Sequence, residues 1–323
     1  MRQLIRLSAF AATCVAASLA LAQSKGATTV SDSLPDYKAV EGVSGTIKSI
    51  GSDTMNNVMA HWGESFKKFY PGTTLQVEGK GSSTAPPALI EGQAQFGPMS
   101  REMKKSEIDE FEKKFGYKPT GLRTAIDCLA IYVHKDCPLN EITMEQAMKV
   151  FSVAGPEMTW DQLGVKDEAY KGKPVSLYGR NSASGTYGYF KEHVLQKKDF
   201  KSNVKEQPGS SGVVQGIASD KFGMGYSGIG YKTADVKFLK VADKGGKAVA
   251  PSADTAYSGE YPIARFLWVY TNFDAKKPMD PLRGEFVKLI FSKAGQEGVV
   301  KDGFIPVTPE IAREELVKVG LGK

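Results

Sequence analysis

Three polar turns, each rich in glycine and hydroxyl side chains, carry the residues of this chain that are best suited to hold an anion. The first, second and third turns are Gly51-Ser52-Asp53-Thr54, Gly79-Lys80-Gly81-Ser82-Ser83-Thr84 and Arg180-Asn181-Ser182-Ala183-Ser184-Gly185-Thr186. A helix that begins after such a turn offers unpaired backbone N–H groups and a partial positive charge. Serine and threonine add hydroxyl donors, glycine permits close approach, and Arg180 adds a forked guanidinium. Together, the turns predict an anion-binding site.

The segments around these turns alternate between strand-like and helix-like patterns. A strand-like run over 45–50 precedes the first turn, and apolar residues at three- and four-residue spacing follow it over 55–69. A second strand-like run, 174–178, precedes the third turn. This alternation predicts an α/β fold with parallel strands. In open sheets of that kind, ligands bind beyond the carboxyl ends of the strands, where all three turns would lie.

Long apolar runs over 125–134 and 261–270 are candidates for strands that cross between two lobes. We therefore expect a discontinuous lobe I formed by 44–128 and 262–323, and a lobe II formed by 129–261. The first two turns would then belong to lobe I and the third turn to lobe II. A ligand held by all three would lie in the cleft between the lobes.

The beginning of the chain reads as an export signal over residues 1–22. Arg2 and Arg6 form a basic start, 7–21 is apolar, and Ala20-Leu21-Ala22 fits a cleavage site for small residues. The apolar run is short for a stable membrane span. We expect cleavage near Ala22, a flexible polar leader over 23–43, and a mature protein in the periplasm.

Composition and residue spacing argue against several other classes of site. Loss of the signal removes two arginines and no acid, so the formal net charge falls from +6 to +4, and the lysines are scattered. This pattern predicts no nucleic-acid partner. His61, His134 and His193 lack paired ligand spacing, so we expect no metal. The glycines over 223–228 match a dinucleotide fingerprint by spacing, but no helical pattern follows, so we expect no cofactor.

The sequence predicts neither a disulfide between the two cysteines that remain after cleavage nor a serine nucleophile with a base. Cys128 and Cys137 are separated by a strand-like run spanning roughly 20 Å, whereas the Cα atoms of a disulfide lie within about 7 Å. We therefore expect them to stay unpaired.

Ser184 has no obvious neighbouring base, and the chain has no nucleophile elbow or Walker loop. The chain is predicted not to be an enzyme, with an exported phosphate-ester hydrolase as the alternative.

The order of several motifs resembles the family of phosphate-binding proteins that serve bacterial phosphate ABC importers. These motifs are Gly51–Met55, Gly81–Ser83, Phe96–Arg101, Ala125–Asp127, Arg180–Thr186, Tyr261–Arg265 and Phe291–Glu297. The match runs from about Gly45 to Lys323. The resemblance implies a type II periplasmic binding fold, with two lobes that close around a dehydrated phosphate. It also implies a membrane permease and a separate ATPase as partners, and we expect the protein to act as a monomer.

The resemblance further implies a set of phosphate ligands on the strand-end turns. Matched residue by residue, the set is Ser52, Asp53, Thr54, Ser82, Ser100, Arg101, Arg180, Ser184, Gly185 and Thr186. Arg180 would make the main charged contact. Ser184, Gly185 and Thr186 would donate from the start of the helix that follows it.

One departure from the family pattern concerns specificity. The best-known members carry an acidic residue at about the place where this chain has Ser100-Arg101, and that acid accepts a hydrogen bond from the proton of phosphate. Sulfate has no such proton at neutral pH and would face an unpaired carboxylate. Asp53 would either take over the acceptor role or pair with Arg101. Sulfate, arsenate and a phosphonate therefore remain alternatives to phosphate.

Overall fold

The computed structural model describes residues 28–243 and 245–322, so the predicted signal over 1–22 lies outside the described residues. The strands are β1 (Gly45–Gly51), β2 (Thr73–Gly79), β3 (Phe96–Met99), β4 (Thr120–His134), β5 (Glu141–Thr143), β6 (Ser176–Arg180), β7 (Lys205–Gln207), β8 (Gly223–Gly228), β9 (Val236–Phe238), β10 (Lys240–Ala242) and β11 (Ala264–Thr271). The α-helices are α1 (Asn56–Phe69), α2 (Ala85–Ile90), α3 (Lys105–Phe115), α4 (Met144–Phe151), α5 (Gly185–His193), α6 (Ser210–Ala218), α7 (Ala253–Tyr257), α8 (Pro281–Ile290), α9 (Lys293–Lys301) and α10 (Pro309–Lys318). Within the two described ranges, every helix is too short or too polar to cross a bilayer.

Nine strands form one continuous sheet in which parallel pairs flank an antiparallel centre. The strand order is β2-β1-β3-β11-β4-β8-β6-β7, with β9 also paired to β4, and β5 and β10 form a separate pair. β1 runs parallel to β2 and β3, and β6 runs parallel to β7 and β8. β11 is antiparallel to both of its neighbours, β3 and β4. The sheet thus carries two parallel halves joined through β4 and β11.

The strand β4 passes from one half of the sheet to the other. It pairs with β11 from Thr120 to Cys128 and with β8 from Leu129 to Val133. Each half packs around its own core, one of which contains Trp62 and the other Trp160. The molecule therefore has two α/β lobes joined by crossover strands, and we propose the lobe boundary where β4 changes partner.

Helix α1 shows how the spacing of apolar residues places the first turn. Val58, Met59, Trp62 and Phe66 are buried on one face of this helix, at the three- and four-residue spacing of an amphipathic helix. The rigid ring of proline and the flexibility of glycine in Pro71-Gly72 favour a chain reversal after the helix. Burial of this face fixes α1 against the sheet, and so holds its amino-terminal turn at the end of β1.

Residues 28–43 contain neither helix nor strand, but they pack on lobe I. Leu34 is 3% exposed and belongs to the lobe I core. The hydroxyl of Tyr37 donates to Glu285 Oε2 at 2.8 Å. Residues 23–27 of the leader predicted over 23–43 lie outside the described residues, and over 28–43 isolated apolar and aromatic side chains contact lobe I without any periodic pattern.

Cys128 and Cys137 are both buried and free, which confirms that they do not pair. β4 continues to His134 and separates the two thiols along the chain. Burial, with a smaller contribution from Asp127, raises the pKa of the Cys128 thiol. The thiol is therefore protonated and unreactive at neutral pH.

Asp302, which follows α9, is expected to make stability depend on pH. Its Oδ2 atom is buried without a hydrogen-bond partner. Burial raises the pKa of Asp302 to about 7, against the opposing hydrogen bonds from Asn57 and Val58. Because an unfolded aspartate has a pKa of about 4, the folded protein holds one more proton than the unfolded chain between the two pKa values. The stabilisation that this proton provides is therefore fully present below the lower pKa and is lost as the pH rises toward the higher one.

The variant Asp302→Asn cannot ionise and should remove this pH dependence. We expect its unfolding temperature at pH 8 to exceed that of the wild type by on the order of 2 °C, and by a smaller margin at pH 5, where only part of the titration window has been crossed. Thermal unfolding followed by circular dichroism measures both. Asp36→Asn, at an exposed position, is the matched control. An equal shift at the two pH values would contradict the titration argument.

Candidate anion-binding site

The three polar turns meet beyond the carboxyl ends of parallel strands from both lobes. In lobe I, Ser52–Thr54 follow β1, Ser82 follows β2 and Ser100 follows β3. In lobe II, Arg180 ends β6, and Ser210 begins α6 shortly after β7. Carboxyl ends of parallel strands lie along one edge of a sheet, so both halves direct these residues to the same cleft.

Five hydroxyl groups form a connected cluster between the lobes. Ser52 Oγ donates to Ser100 Oγ at 3.0 Å, and Ser100 Oγ lies 3.3 Å from Ser82 Oγ. Thr54 Oγ1 lies 3.0 Å from Thr186 Oγ1, which is 3.5 Å from Ser100 Oγ. All five residues are buried. Each hydroxyl can rotate to donate or accept, so this hydroxyl cluster can direct several O–H groups at the oxygens of one small anion.

Arg180 supplies a buried cation beside the hydroxyl cluster. Its Nη1 donates to Ser210 Oγ at 2.6 Å, and its Nη2 donates to Pro208 O at 3.1 Å. Its Nε is buried without a hydrogen-bond partner. Burial lowers the pKa of Arg180, against the opposing effect of Asp53, but a guanidinium remains charged at neutral pH. A buried donor without a partner is unfavourable, and an anion oxygen at Nε would satisfy it.

Asp53 forms its ion pair with Arg180 and not with Arg101. Its Oδ2 lies 3.0 Å from Arg180 Nη1 and accepts from the backbone N–H of Ser210 at 2.8 Å. The expectation that Asp53 pairs with Arg101 is therefore wrong. The carboxylate also lies in the first turn of a helical segment, where negative charge is favourable.

The side chain of Arg101 pairs with Glu107 and not with the residues of the anion site. Its Nη1 and Nη2 donate to the two carboxylate oxygens of Glu107 at 2.8 and 2.7 Å, and Nη1 also donates to Glu102 O. This two-pronged pair uses the fork with which a guanidinium would bind an oxyanion. The structure therefore does not bring Arg101 together with the other predicted ligands, because Glu107 at the start of α3 takes its side chain.

The start of α5 lies directly against lobe I. Ser184 caps the helix, since its Oγ accepts from the N–H groups of Thr186 and Tyr187 at 3.1 and 3.3 Å, which leaves its O–H as a donor. A Cβ atom at Gly185 would lie 2.2 Å from Ser82 Oγ. Glycine is therefore required here by the close approach of the two lobes.

Two further contacts hold the lobes together around the cluster. The backbone N–H and hydroxyl of Ser83 donate to Ala183 O at 3.2 and 2.7 Å. Tyr231, in lobe II, donates from its hydroxyl to the carbonyls of Asp53 and Thr54 at 3.2 and 3.0 Å. The first turn is thus fixed from both lobes.

Ser210 and Tyr231 were not among the site residues predicted from the sequence. Ser210 follows a strand of only three polar residues, Lys205–Gln207, which gives no apolar signal. The turn Pro208-Gly209-Ser210-Ser211-Gly212, followed by apolar residues at helical spacing, is the signal that could have located it. Tyr231 acts through a long-range contact and leaves no comparable local pattern.

The arrangement is suited to binding an anion. Within the parts of the chain that the structure describes, no group of three or more His, Cys, Asp and Glu side chains could hold a metal ion. The donors that converge are hydroxyl groups and a guanidinium, drawn from five strand ends. Such donors bind the oxygens of a tetrahedral oxyanion through charge-assisted hydrogen bonds.

Two α/β lobes, crossover strands and a polar cleft at the strand ends define a two-lobed solute-binding protein. Residues 37–294 match a family model described as the PBP superfamily domain. The chain is 49% identical over 318 residues to the phosphate-binding protein PstS of Pseudomonas aeruginosa, covering 96% of this chain and 98% of that protein. The chain therefore belongs to the PBP superfamily and to the same family as this Pseudomonas protein. The family resemblance and the fold predicted from the sequence are confirmed.

More distant similarities extend to a further relative and to a solved structure. The chain is 29% identical over 261 residues to Protein SphX of Synechococcus elongatus, covering 80% of this chain and 76% of that protein. The crystal structure of an ABC-type phosphate transport receptor from Vibrio cholerae superimposes with a TM-score of 0.64 at 21% identity. That match covers 81% of this chain and 100% of the other, and it shows the shared fold.

Proposed function

We propose that this protein captures inorganic phosphate between its lobes and delivers it to the membrane permease of an ABC importer. A separate ATPase subunit would supply the energy. Similarity to the phosphate-binding protein of Pseudomonas and to the ABC-type phosphate transport receptor of Vibrio supports this proposal. The protein acts as a monomer in the periplasm after cleavage near Ala22.

The observation that carries the proposal is the environment of Arg180. A guanidinium that is 1% exposed keeps one buried N–H group without a partner. Hydroxyl groups from both lobes lie beside it, including those of Thr54 and Ser210, which are 3.5 Å apart. A bound phosphate would accept from these groups together, and so would join the lobes.

We propose that Asp53 supplies the acceptor that separates phosphate from sulfate. Its carboxylate is held between Arg180 and the backbone N–H of Ser210. Phosphate carries at least one proton at neutral pH and can donate a hydrogen bond to this carboxylate. Sulfate carries none, so one of its oxygens would face the carboxylate oxygen with no proton between them.

Titration calorimetry with phosphate, arsenate and sulfate at pH 7 tests both proposals. We expect phosphate and arsenate to bind, with sulfate weaker by about 100-fold. Asp53→Asn is expected to narrow that gap, whereas Asp109→Asn, on the exposed face of α3, leaves it unchanged. Equal affinity for sulfate and phosphate would refute only the proposed role of Asp53 and not the binding function. Failure to bind any of the three anions would refute the function.

We propose binding without catalysis, in preference to the exported phosphate-ester hydrolase. The candidate nucleophile is Ser184, and the hydrogen bonds to its Oγ come from the N–H groups of Thr186 and Tyr187. A serine nucleophile needs a base that accepts its proton. The arrangement around Ser184 instead serves to cap α5.

A further inference from the structure

Asp127 and Arg265 form an ion pair in the hinge, by which we mean the crossover strands between the lobes, and they have no role in the ligand set described above. They are directly opposite each other on the crossover strands β4 and β11. Arg265 donates from Nε and Nη2 to Asp127 Oδ2 at 3.1 and 2.8 Å, and the side chains are 2% and 0% exposed. Desolvation offsets much of the attraction in such a pair. Stability alone is therefore a weak reason for its presence.

The same guanidinium contacts both walls of the anion site. Its Nη1 donates to the carbonyl of Ser100 in lobe I at 2.7 Å. Its Nη2 donates to Thr186 Oγ1 in lobe II at 2.9 Å. The other oxygen of Asp127, Oδ1, accepts from the backbone N–H of Ile229 at 3.0 Å. The ion pair thus connects the hinge to loops of both lobes.

The bond from Arg265 determines how Thr186 can use its hydroxyl. An oxygen that accepts from a guanidinium keeps its own proton for a different partner. The neighbouring hydroxyl oxygens, Thr54 Oγ1 and Ser100 Oγ, lie 3.0 and 3.5 Å away, within the hydroxyl cluster. Thr186 is therefore set to donate into the cluster, and its contact with a cation strengthens it as a donor.

We propose that Arg265, held in place by Asp127, is a positioning residue of the anion site. It orients the Thr186 hydroxyl toward the anion and joins the two walls of the cleft when the lobes are together. This inference rests on the proposed function, because it takes an oxyanion as the ligand. Arg180 contacts the anion directly, whereas Arg265 acts through Thr186 and the backbone of Ser100.

Exchange of the ion pair for a neutral pair tests the proposal. The double variant Asp127→Asn/Arg265→Gln keeps polar groups on both strands and leaves no buried charge unpaired. We expect it to fold and to bind phosphate at least about tenfold more weakly by calorimetry, since one charge-assisted hydrogen bond is affected. In a Thr186→Val background the same exchange is expected to cost less than about threefold, because the hydroxyl through which Arg265 acts is gone.

The matched control is another ion pair on the same strand. Arg123 on β4 pairs with Glu315, whose side chain is fully buried, and its hydrogen bonds are to α10 and not to the site. Arg123→Gln/Glu315→Gln is expected to leave phosphate affinity within about twofold of the wild type, because distant changes act independently.

Two results would overturn the inference. One is wild-type phosphate affinity in the double variant Asp127→Asn/Arg265→Gln. The other is a loss of affinity from this exchange that is as large in the Thr186→Val background as in the wild-type background. If the exchanged pair does not fold, Arg265→Lys replaces it. This variant keeps the charge beside Asp127 but loses the fork, and the same loss and the same dependence on Thr186 are expected. Failure of the wild type to bind phosphate would instead refute the proposed function, so the two failures are distinguishable.

Discussion

Arg180→Ala is expected to reduce phosphate affinity by about a thousandfold, or about 4 kcal/mol, through loss of a buried charge-assisted hydrogen bond and through repulsion from the unpaired Asp53. The guanidinium is buried, and its Nε is the donor without a partner. Its removal also leaves Asp53 without its cation, 3.0 Å away in the intact site. The remaining carboxylate would then repel the incoming anion. The lost attraction and the added repulsion both lower the affinity for phosphate.

Calorimetry on a short series of variants separates the loss of attraction by Arg180 from the repulsion by Asp53. The double variant Asp53→Asn/Arg180→Ala removes the repulsion and is expected to recover part of the affinity. Arg180→Lys keeps the charge but not the fork, so its affinity should be intermediate. Arg283→Ala is the control, because Arg283 bonds to Asp280 and to the carbonyl of Asn272 in lobe I. A loss below tenfold in Arg180→Ala would show that Arg180 is not the main ligand.

The elements of this fold and the turns of the site could be predicted because their signals are local. Glycine and hydroxyl residues between a strand-like run and a helical run mark Ser52–Thr54 and Arg180–Thr186 without any knowledge of the rest of the chain. The long apolar run over 125–134 likewise indicates a strand, and β4 is continuous over it. Since parallel strands share an edge for their carboxyl ends, local turns also predict a common site.

The partners of the charged residues could not be predicted in the same way. Arg101 pairs with Glu107 six residues along the chain, whereas Asp53 pairs with Arg180, which is remote in sequence. A charge pattern does not determine which pair forms, because the partner depends on how the lobes come together. For the same reason, the contacts that Arg265 makes to both walls of the cleft become apparent only in the folded chain.

Gly185→Ala is expected to lower phosphate affinity by about 100-fold, equivalent to about two hydrogen bonds of roughly 1.4 kcal/mol each. A Cβ atom at this position would lie 2.2 Å from Ser82 Oγ and 2.7 Å from Ser100 Oγ. The methyl group would hold α5 away from lobe I. The hydroxyls of both lobes could then no longer reach one anion together, because hydrogen-bond lengths fall within about 2.5–3.2 Å.

The effect should arise from closure and not from the stability of α5. Alanine is a better helix former than glycine, so the unfolding temperature without phosphate should stay close to that of the wild type. Gly188→Ala, one turn further along α5, is the matched control. Its Cβ would lie 3.4 Å from Arg101 Cδ, an ordinary contact. Calorimetry measures affinity, and small-angle scattering with saturating phosphate reports whether the lobes close. Wild-type affinity together with full compaction in Gly185→Ala would show that the lobes tolerate the methyl group, and that their close approach does not limit binding.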